Sequence, residues 1–239
     1  PGQVYVMALD LAGEDENAQD IENLANPGRD ATALTIARVN TETLNDPGLL
    51  LPSYEIVFRR QWVGTKHTGI YSQILSMAAA WSVRFIVCDA TGVGAGLTAF
   101  LARSLGSKVI PFTFNSRTKS DLGWSFLSMI DTGRLKTYSL EWPQATPGVR
   151  QLGGKLAQLH HTFFTQLQFC QYEILPGPEK KIRWSVPDGT RDPATGDLIH
   201  DDLVISAALL SVLDQQAWSV TGPAAVVKAR DPLDDMKGF

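Results

Sequence analysis

The sequence predicts an α/β domain in which three antiparallel strands open a mixed sheet and helix-linked parallel strands complete it. Two patterns carry that expectation. Residues 4–64 hold three β-rich apolar runs joined by turns, and residues 67–114 alternate helical spacing with short, fully apolar strands. A chain of 239 residues, 44% of them hydrophobic, is long enough to bury one sizeable core.

Taken in order, "VYVMALDLA" (4–12) is an apolar, β-rich run and reads as a buried strand. "GEDENAQDIENLANPGRD" (13–30) is acidic and broken by Gly and Pro, which makes it a loop. Its Glu14, Asp15, Glu16, Asp20, Glu22 and Asp30 read as a solvated face. Asp30 precedes a strand and has the reach to enter a site, but is not assigned to one. "ATALTIARVN" (31–40) alternates as a strand does, and "YEIVFRRQWVG" (54–64) completes a meander. "HTGIYSQILSMAAAWS" (67–82) has helical spacing, and "VRFIVCDA" (83–90) is a short strand ending in Asp89. "GVGAGLTAFLARSL" (92–105) reads as a helix, "KVIPFTF" (108–114) as a strand, and "KSDLGWSFLSMIDTG" (119–133) as an amphipathic helix closed by Gly133. Residues 146–167 are helical in pattern, weakened by Gly153 and Gly154. Residues 168–189 form a hairpin turned at "PGPEKK", and "IHDDLVISAALL" opens a last helix reaching about 216. Residues 217–239 lack periodicity and read as a flexible tail, leaving 1–216 as one domain. This order fits a ribonuclease H-like core, in which the first strand is central and adjoins the strand after the first helix.

No apolar run approaches the roughly 18–20 residues that cross a bilayer, so no membrane partner is expected. Cys88 and Cys170 form no CxxC pair, which argues against a disulfide framework or a cysteine zinc site and for a reducing compartment. The net charge of -4 argues mildly against nucleic acid, although carboxylates gathered at a metal site lower the charge without covering a basic groove elsewhere. The opening "PGQVYV", without methionine, suggests a fragment or a processed product.

The chemistry concentrates in acids at the edges of apolar elements. Asp10 stands toward the end of the first strand and Asp89 at the end of the fourth. Parallel neighbours spaced roughly 4.8 Å apart bring such carboxylates out side by side. The start of the Asp201-Asp202 helix then supplies a third. Like charges so placed raise one another's pKa values or demand a cation, and hard oxygen donors without thiolates select Mg²⁺ or Mn²⁺. A pair of such ions, roughly 3.5–4 Å apart, suits in-line phosphodiester hydrolysis. Each acid also has a plainer reading. Asp10 fits a turn, Asp89 before "ATGVGAG" fits a helix cap or a phosphate loop, and Asp202 fits an N-cap.

With those residues in place, the chain resembles the nuclease domain of tailed-bacteriophage large terminases over most of residues 4–213. The likeness rests on "ALDLAGEDENAQD…DATALTIAR", "FIVCDATGVGAG", "VIPFTFNSRTKSDLGWSFLSMIDTGRLK" and "IHDDLVISAALL". It implies a ribonuclease H-like fold and a divalent-metal endonuclease that cuts concatemeric viral DNA. Asp10 and Asp89 match the family's first metal-binding acids. Asp201 and Asp202 match its closing acidic pair, with Asp202 ranked above Asp201 as the direct ligand. His200 fits a further ligand, a group supporting one, or an ordinary loop histidine. The resemblance further implies two Mg²⁺ or Mn²⁺ ions and double-stranded DNA as substrate. In the full protein it implies portal and small-terminase partners, and the cytoplasm of an infected bacterial host. The family's packaging ATPase is absent from this chain, since "TGVGAG" lacks the Lys-Ser or Lys-Thr of a GxxxxGK[ST] loop.

Basic residues form small groups, and Lys119, Arg134, Lys180, Lys181 and Arg183 are the candidate DNA contacts. So few charges predict weak, sequence-tolerant binding through phosphates. Three rivals stand beside this reading. One is another ribonuclease H-like metal nuclease, whether junction resolvase, hybrid nuclease or transposase core. Another is an actin- or sugar-kinase-like ATPase, and the third is a non-catalytic DNA-docking module.

Overall fold

Among the described residues, 3–14, 30–138 and 147–218, the computed structural model contains a six-stranded sheet and a separate two-stranded one. The strands of the larger sheet are β1 (Val4–Asp10), β2 (Ala31–Asn40), β3 (Ser53–Val63), β4 (Phe85–Asp89), β5 (Val109–Phe112) and β6 (Leu135–Thr137). Their spatial order is β5-β4-β1-β2-β3-β6. β1, β2 and β3 pair antiparallel, whereas β1–β4, β4–β5 and β3–β6 are parallel. The first strand is therefore central and adjoins β4, as expected. The helices are α1 (His67–Ala80), α2 (Gly94–Leu105), α3 (Ser116–Asp131), α4 (Pro147–Phe169) and α5 (Asp202–Ala208). The expected tail, apart from Ala217 and Trp218, and the acidic stretch 15–29 lie outside the described residues. No described helix is long and apolar enough to cross a membrane.

A central strand covered on both faces must be apolar throughout, and β1 is. Val6 and Ala8 face one side, Met7 and Leu9 the other, and all four are fully buried. The first pair joins a cluster with Leu122 and Phe126 of α3, Phe163 of α4 and nearly all of α5. The second pair joins Ile70 and Ile74 of α1 with Leu97 and Leu101 of α2. Each fully buried Leu, Ile or Met contributes ~1.5–3 kcal/mol. α5 is buried all round, which its sequence allows because "VISAALL" carries no charge and small residues let it approach the sheet. Ser206 Oγ lies 2.8 Å from Thr35 Oγ1 of β2. Past Ala208 the chain tightens into a 3₁₀ turn, Leu209–Gln215, so the last helix is shorter than its pattern suggests.

Three departures have identifiable causes. α3 begins at Ser116 because Asn115 caps it, accepting from the N–H groups of Arg117 and Thr118, while the Thr118 hydroxyl accepts from the Asn115 N–H. β6 has three residues, too few for an alternation pattern to show. The third departure concerns Arg134. It is not a surface contact for DNA. It is 2% exposed, and its guanidinium donates to the Pro52 carbonyl at 2.9 Å and to Asp214 at 3.1 Å. The Tyr54 hydroxyl also donates to Asp214, at 2.9 Å. This network ties the end of the described chain to the β3–β6 edge. Replacing Arg134 by Ala leaves a largely buried carboxylate without its cation, with only the Tyr54 hydroxyl as partner among the described residues, and urea unfolding should show a loss of about 3 kcal/mol. A loss below about 1 kcal/mol, the ordinary range for a surface pair, contradicts this account.

Candidate functional site

In the parallel pairing of β1 with β4, Leu9 stands opposite Cys88, and the next residue on each strand is an aspartate, Asp10 and Asp89. The two carboxylates leave neighbouring strands at the same level, roughly 4.8 Å apart in strand spacing. Asp89 is fixed by the Thr91 N–H, which donates to its Oδ1 at 2.8 Å, and its carbonyl accepts from the Thr98 hydroxyl at 2.8 Å. The start of α2 presses on this strand end so closely that a Cβ on Gly94 would stand 2.8 Å from the Asp89 carbonyl. That close approach explains a glycine in "TGVGAG" without any phosphate loop.

The paired aspartates arrive from the other side of the sheet's end. Neither caps α5 with its side chain: Asp201 occupies the N-cap position without a side-chain cap bond, and Asp202 is the first helical residue. Asp202 Oδ2 instead accepts the Ala31 N–H at the start of β2, at 3.1 Å. The N–H groups of Val186 and of Asp201 itself lie close enough to the Asp201 carboxylate to favour its charged form. The Leu203 N–H of α5 is capped by Gln166 of α4 at 2.9 Å, so a neighbouring helix supplies the cap that the aspartates do not.

One cavity of about 270 Å³ is lined by Asp10, Asp89, Asp201 and Asp202 together with Asp30 and Lys119. All four sequence-assigned acids therefore meet. Two further residues enter with them. Asp30, read from sequence as part of a solvated face, lines the cavity and lies 2.6 Å from His200 Nδ1. His200 thus meets the site through Asp30, and its own walls belong to the neighbouring cleft. Lys119, a DNA-contact candidate, also lines the acidic cavity, and its charge acts on Asp201.

The electrostatics follow from burial and like charge. Burial, then the charges of Asp202, Asp89, Asp201 and Asp30, hold the Asp10 carboxyl well above the usual range. Burial also raises Asp89, against the hydrogen bonds from Thr91. It raises Asp201, which Lys119 pulls back, and it lifts Asp202 to about 7. Among the described residues no three His, Cys, Asp or Glu side chains already stand as a closed metal-binding group. The donor set nonetheless suits a hard divalent cation, since it offers crowded carboxylates and no thiolate. The nearby thiols stay protonated, since burial pushes Cys88 up to about 12 and Cys170 up to about 11.

A wider cleft of about 680 Å³ shares Ala31 and Asp202 with the cavity and is walled by Gln61 of β3, by Gln158, His161 and Thr162 of α4, and by the loop carrying Arg191. The other flank is basic. The smaller sheet, β7 (Gln171–Ile174) and β8 (Ile182–Ser185), is the expected hairpin. It packs on α3 through Ile182 and Trp184, leaving Lys180 and Arg183 exposed and Lys181 half-buried on the hairpin beside the helix that carries Arg117 and Lys119. Lys181 is already paired with Glu179 at 2.7 Å.

No family model matches the sequence, and no curated protein matches it. Its structural neighbours are large terminase nuclease domains. The large terminase nuclease from thermophilic phage G20c with bound magnesium superposes with a TM-score of 0.55 at 14% identity, covering 89% of this chain and 82% of that one. The nuclease domain of the large terminase subunit gp2 of bacterial virus Sf6 gives 0.54 at 10% identity, covering 87% of each chain. A mutant form of that domain, with manganese and beta-thujaplicinol, gives 0.53 at 11% identity, covering 90% and 89%. At these identities the likeness establishes the fold, which is ribonuclease H-like with a mixed sheet flanked by helices.

The raised carboxylate pKa values make a pH prediction with a definite sign. A folded-state pKa above the unfolded value near 3.9 gives stability that is complete below about pH 4 and is lost as pH rises through the folded pKa. For Asp202 that window runs from about 4 to about 7. The metal-free protein should therefore melt at a lower temperature at pH 8 than at pH 5, and Asp202→Asn should flatten that slope. Mn²⁺ should raise the melting temperature at pH 8 and EDTA should reverse the rise. A Tm that climbs from pH 5 to pH 8 without metal, in native and variant alike, contradicts the assignment.

Proposed function

We propose that the chain is the nuclease domain of a phage DNA-packaging terminase, a divalent-metal-dependent hydrolase of phosphodiester bonds in double-stranded DNA. The observation that carries the reading is the convergence of Asp10, Asp89 and Asp202 on one cavity, from two in-register strand ends and one helix start. The neighbouring folds support it, as does the chemistry of a hard-oxygen donor set.

Asp10, Asp89 and Asp202 would hold the cations, Mg²⁺ or Mn²⁺ as a pair, with Asp201 as the further acid of the set. When bound, such ions supply activation of the attacking water and stabilisation of the leaving oxygen. The protein's own contribution is placement. Thr91 orients Asp89, the Ala31 N–H orients Asp202, and the Val186 N–H lies beside Asp201. Asp30, bonded to His200, adds negative charge at the rim and completes the attraction for a cation. Lys180, Lys181 and Arg183 lie on the flank where DNA phosphates meet positive charge. Such contacts carry little sequence information, which suits cutting of concatemeric DNA with little specificity. The rest of the terminase, with its ATPase, portal and small-subunit partners, would hold the DNA in the host cytoplasm.

Nicking of supercoiled plasmid tests the chemistry. Cutting should require Mn²⁺ or Mg²⁺ and stop in EDTA. Asp10→Ala, Asp89→Ala and Asp202→Ala should each lower it about 100-fold or more, beyond the range for residues that only support a ligand. Cutting that persists in EDTA, or that survives all three substitutions, sinks the reading. Hydrolysis confined to RNA–DNA hybrids or four-way junctions replaces the substrate but keeps the chemistry.

The basic flank makes a separate prediction. Replacing Lys180 and Arg183 together by Ala should weaken DNA binding on every sequence alike. It should also reduce the slope of log affinity against log salt by roughly 0.9 for each phosphate that the side chains no longer neutralise. An unchanged slope would remove the hairpin from the interface.

A further inference from the structure

Lys119 is the one basic side chain among the described residues that line the acidic cavity, and a single indole touches it twice. Trp184 of β8 donates from Nε1 to the Lys119 carbonyl at 2.7 Å. The Lys119 ammonium lies 5.7 Å from the centre of the same ring, within the range of a cation–π contact. A buried tryptophan ordinarily finds some acceptor for its N–H. Here the acceptor belongs to a residue of the pocket, and the ring faces that residue's charge as well.

Trp184 is itself tightly seated. It is 5% exposed and stacks on Phe126 with ring centres 6.2 Å apart. Gly123 of α3 gives it room, because a Cβ there would stand 2.4 Å from Trp184 Nε1. Flanking bonds fasten the hairpin to α3, from the Ile182 N–H to Ser120 Oγ at 3.0 Å and from Trp124 Nε1 to the Lys180 carbonyl at 3.1 Å. Two residues past Trp184 the same stretch of chain places the Val186 N–H beside the Asp201 carboxylate. The segment running from β8 thus reaches the acidic cavity at two points, one a cation and one a carboxylate.

Resting on the metal-nuclease reading, we infer that Trp184 is a positioning residue that keeps the Lys119 ammonium inside the acidic cavity, where its charge sets how tightly a divalent cation binds. A fixed positive charge among the carboxylates satisfies part of their demand and opposes an incoming cation. Releasing it leaves the acids to the metal alone. The hairpin therefore adjusts the metal affinity of a site that none of its own side chains line.

Binding of Mn²⁺ by the whole chain, read from the electron paramagnetic resonance signal of the free ion, tests this without any cleavage assay. Lys119→Met should tighten binding about tenfold, the scale of a unit charge withdrawn from a partly solvated site. Trp184→Phe keeps an aromatic side chain but deletes the N–H and shrinks the ring, and should tighten binding about threefold. The double variant should match Lys119→Met alone, because both changes act through one charge. Gly123→Ala displaces the indole by another route and should move the midpoint in the same direction. Trp124→Phe, which loosens the hairpin without touching the cavity, should leave it at the native value. Melting curves confirm that each variant is folded.

A native midpoint in both Trp184→Phe and Gly123→Ala overturns the inference, as do fully additive effects in the double variant or an equal shift from Trp124→Phe. Native protein that binds no Mn²⁺, or binds it equally after Asp10→Asn, instead overturns the metal reading on which the inference stands.

Discussion

Where β1 runs beside β4 in parallel, the last paired residues are Leu9 and Cys88, both fully buried, and the chain then places an aspartate on each strand. That register is the constraint from which the rest follows. Sheet pairing holds the two carboxylates at one level, and neither can move without unpairing a central strand. Like charges in a half-buried setting oppose folding unless they share protons or a cation. The fold absorbs that cost with apolar layers on both faces of β1, and it adds more acid to the same edge. Concentrating unfavourable charge where the scaffold is most rigid is how a binding site for a cation is prepared before the cation arrives.

α5 shows why two aspartates stand together at the end of an apolar helix. On a helix, adjacent side chains diverge by about 100°, so neighbours cannot share one anchor. Asp202 is tied to the start of β2 through the Ala31 N–H, whereas the Asp201 carboxylate lies beside the Val186 N–H of the chain leaving the hairpin. Capping is delegated to Gln166 of α4. The pair is thereby freed from the usual work of acids at a helix start and met by two elements that approach from different directions.

Much of this is legible in the sequence, for identifiable reasons. The central strand, the strand that ends in Asp89 and the acidic helix all announce themselves through uninterrupted apolar runs, and their acids stand where those runs stop. Sequence alone does not bring Asp30 and Lys119 to the cavity because their positions come from long-range neighbours. Asp30 enters the cavity because β2 begins beside α5, a juxtaposition of residues 171 positions apart. Arg134 escapes for the same reason, since its partner Asp214 lies 80 residues away. A basic residue in a short polar turn has the same local signature whether it is solvated or sealed beneath a distant segment such as that carrying Asp214. The start of α3 is readable in principle from "NSRT", in which Asn115 and Thr118 form a capping box, but its weak apolar periodicity hides it.

The distribution of charge around the cavity bears on how such a domain would work. One flank carries the hairpin and α3 cations, while the wider cleft on the other side is walled largely by glutamine, threonine and histidine, with Arg191 beside Asp192 and Asp197. Phosphate attraction is therefore one-sided and modest, in keeping with a chain whose net charge is -4. Lys119 lines the cavity beside the acids, so on the proposed reading it would face both the anionic substrate and the carboxylates that would hold the metal. On the same reading, displacing the Trp184 indole would shift the balance between them, which would make β8 the place for a larger assembly to exert control over cutting.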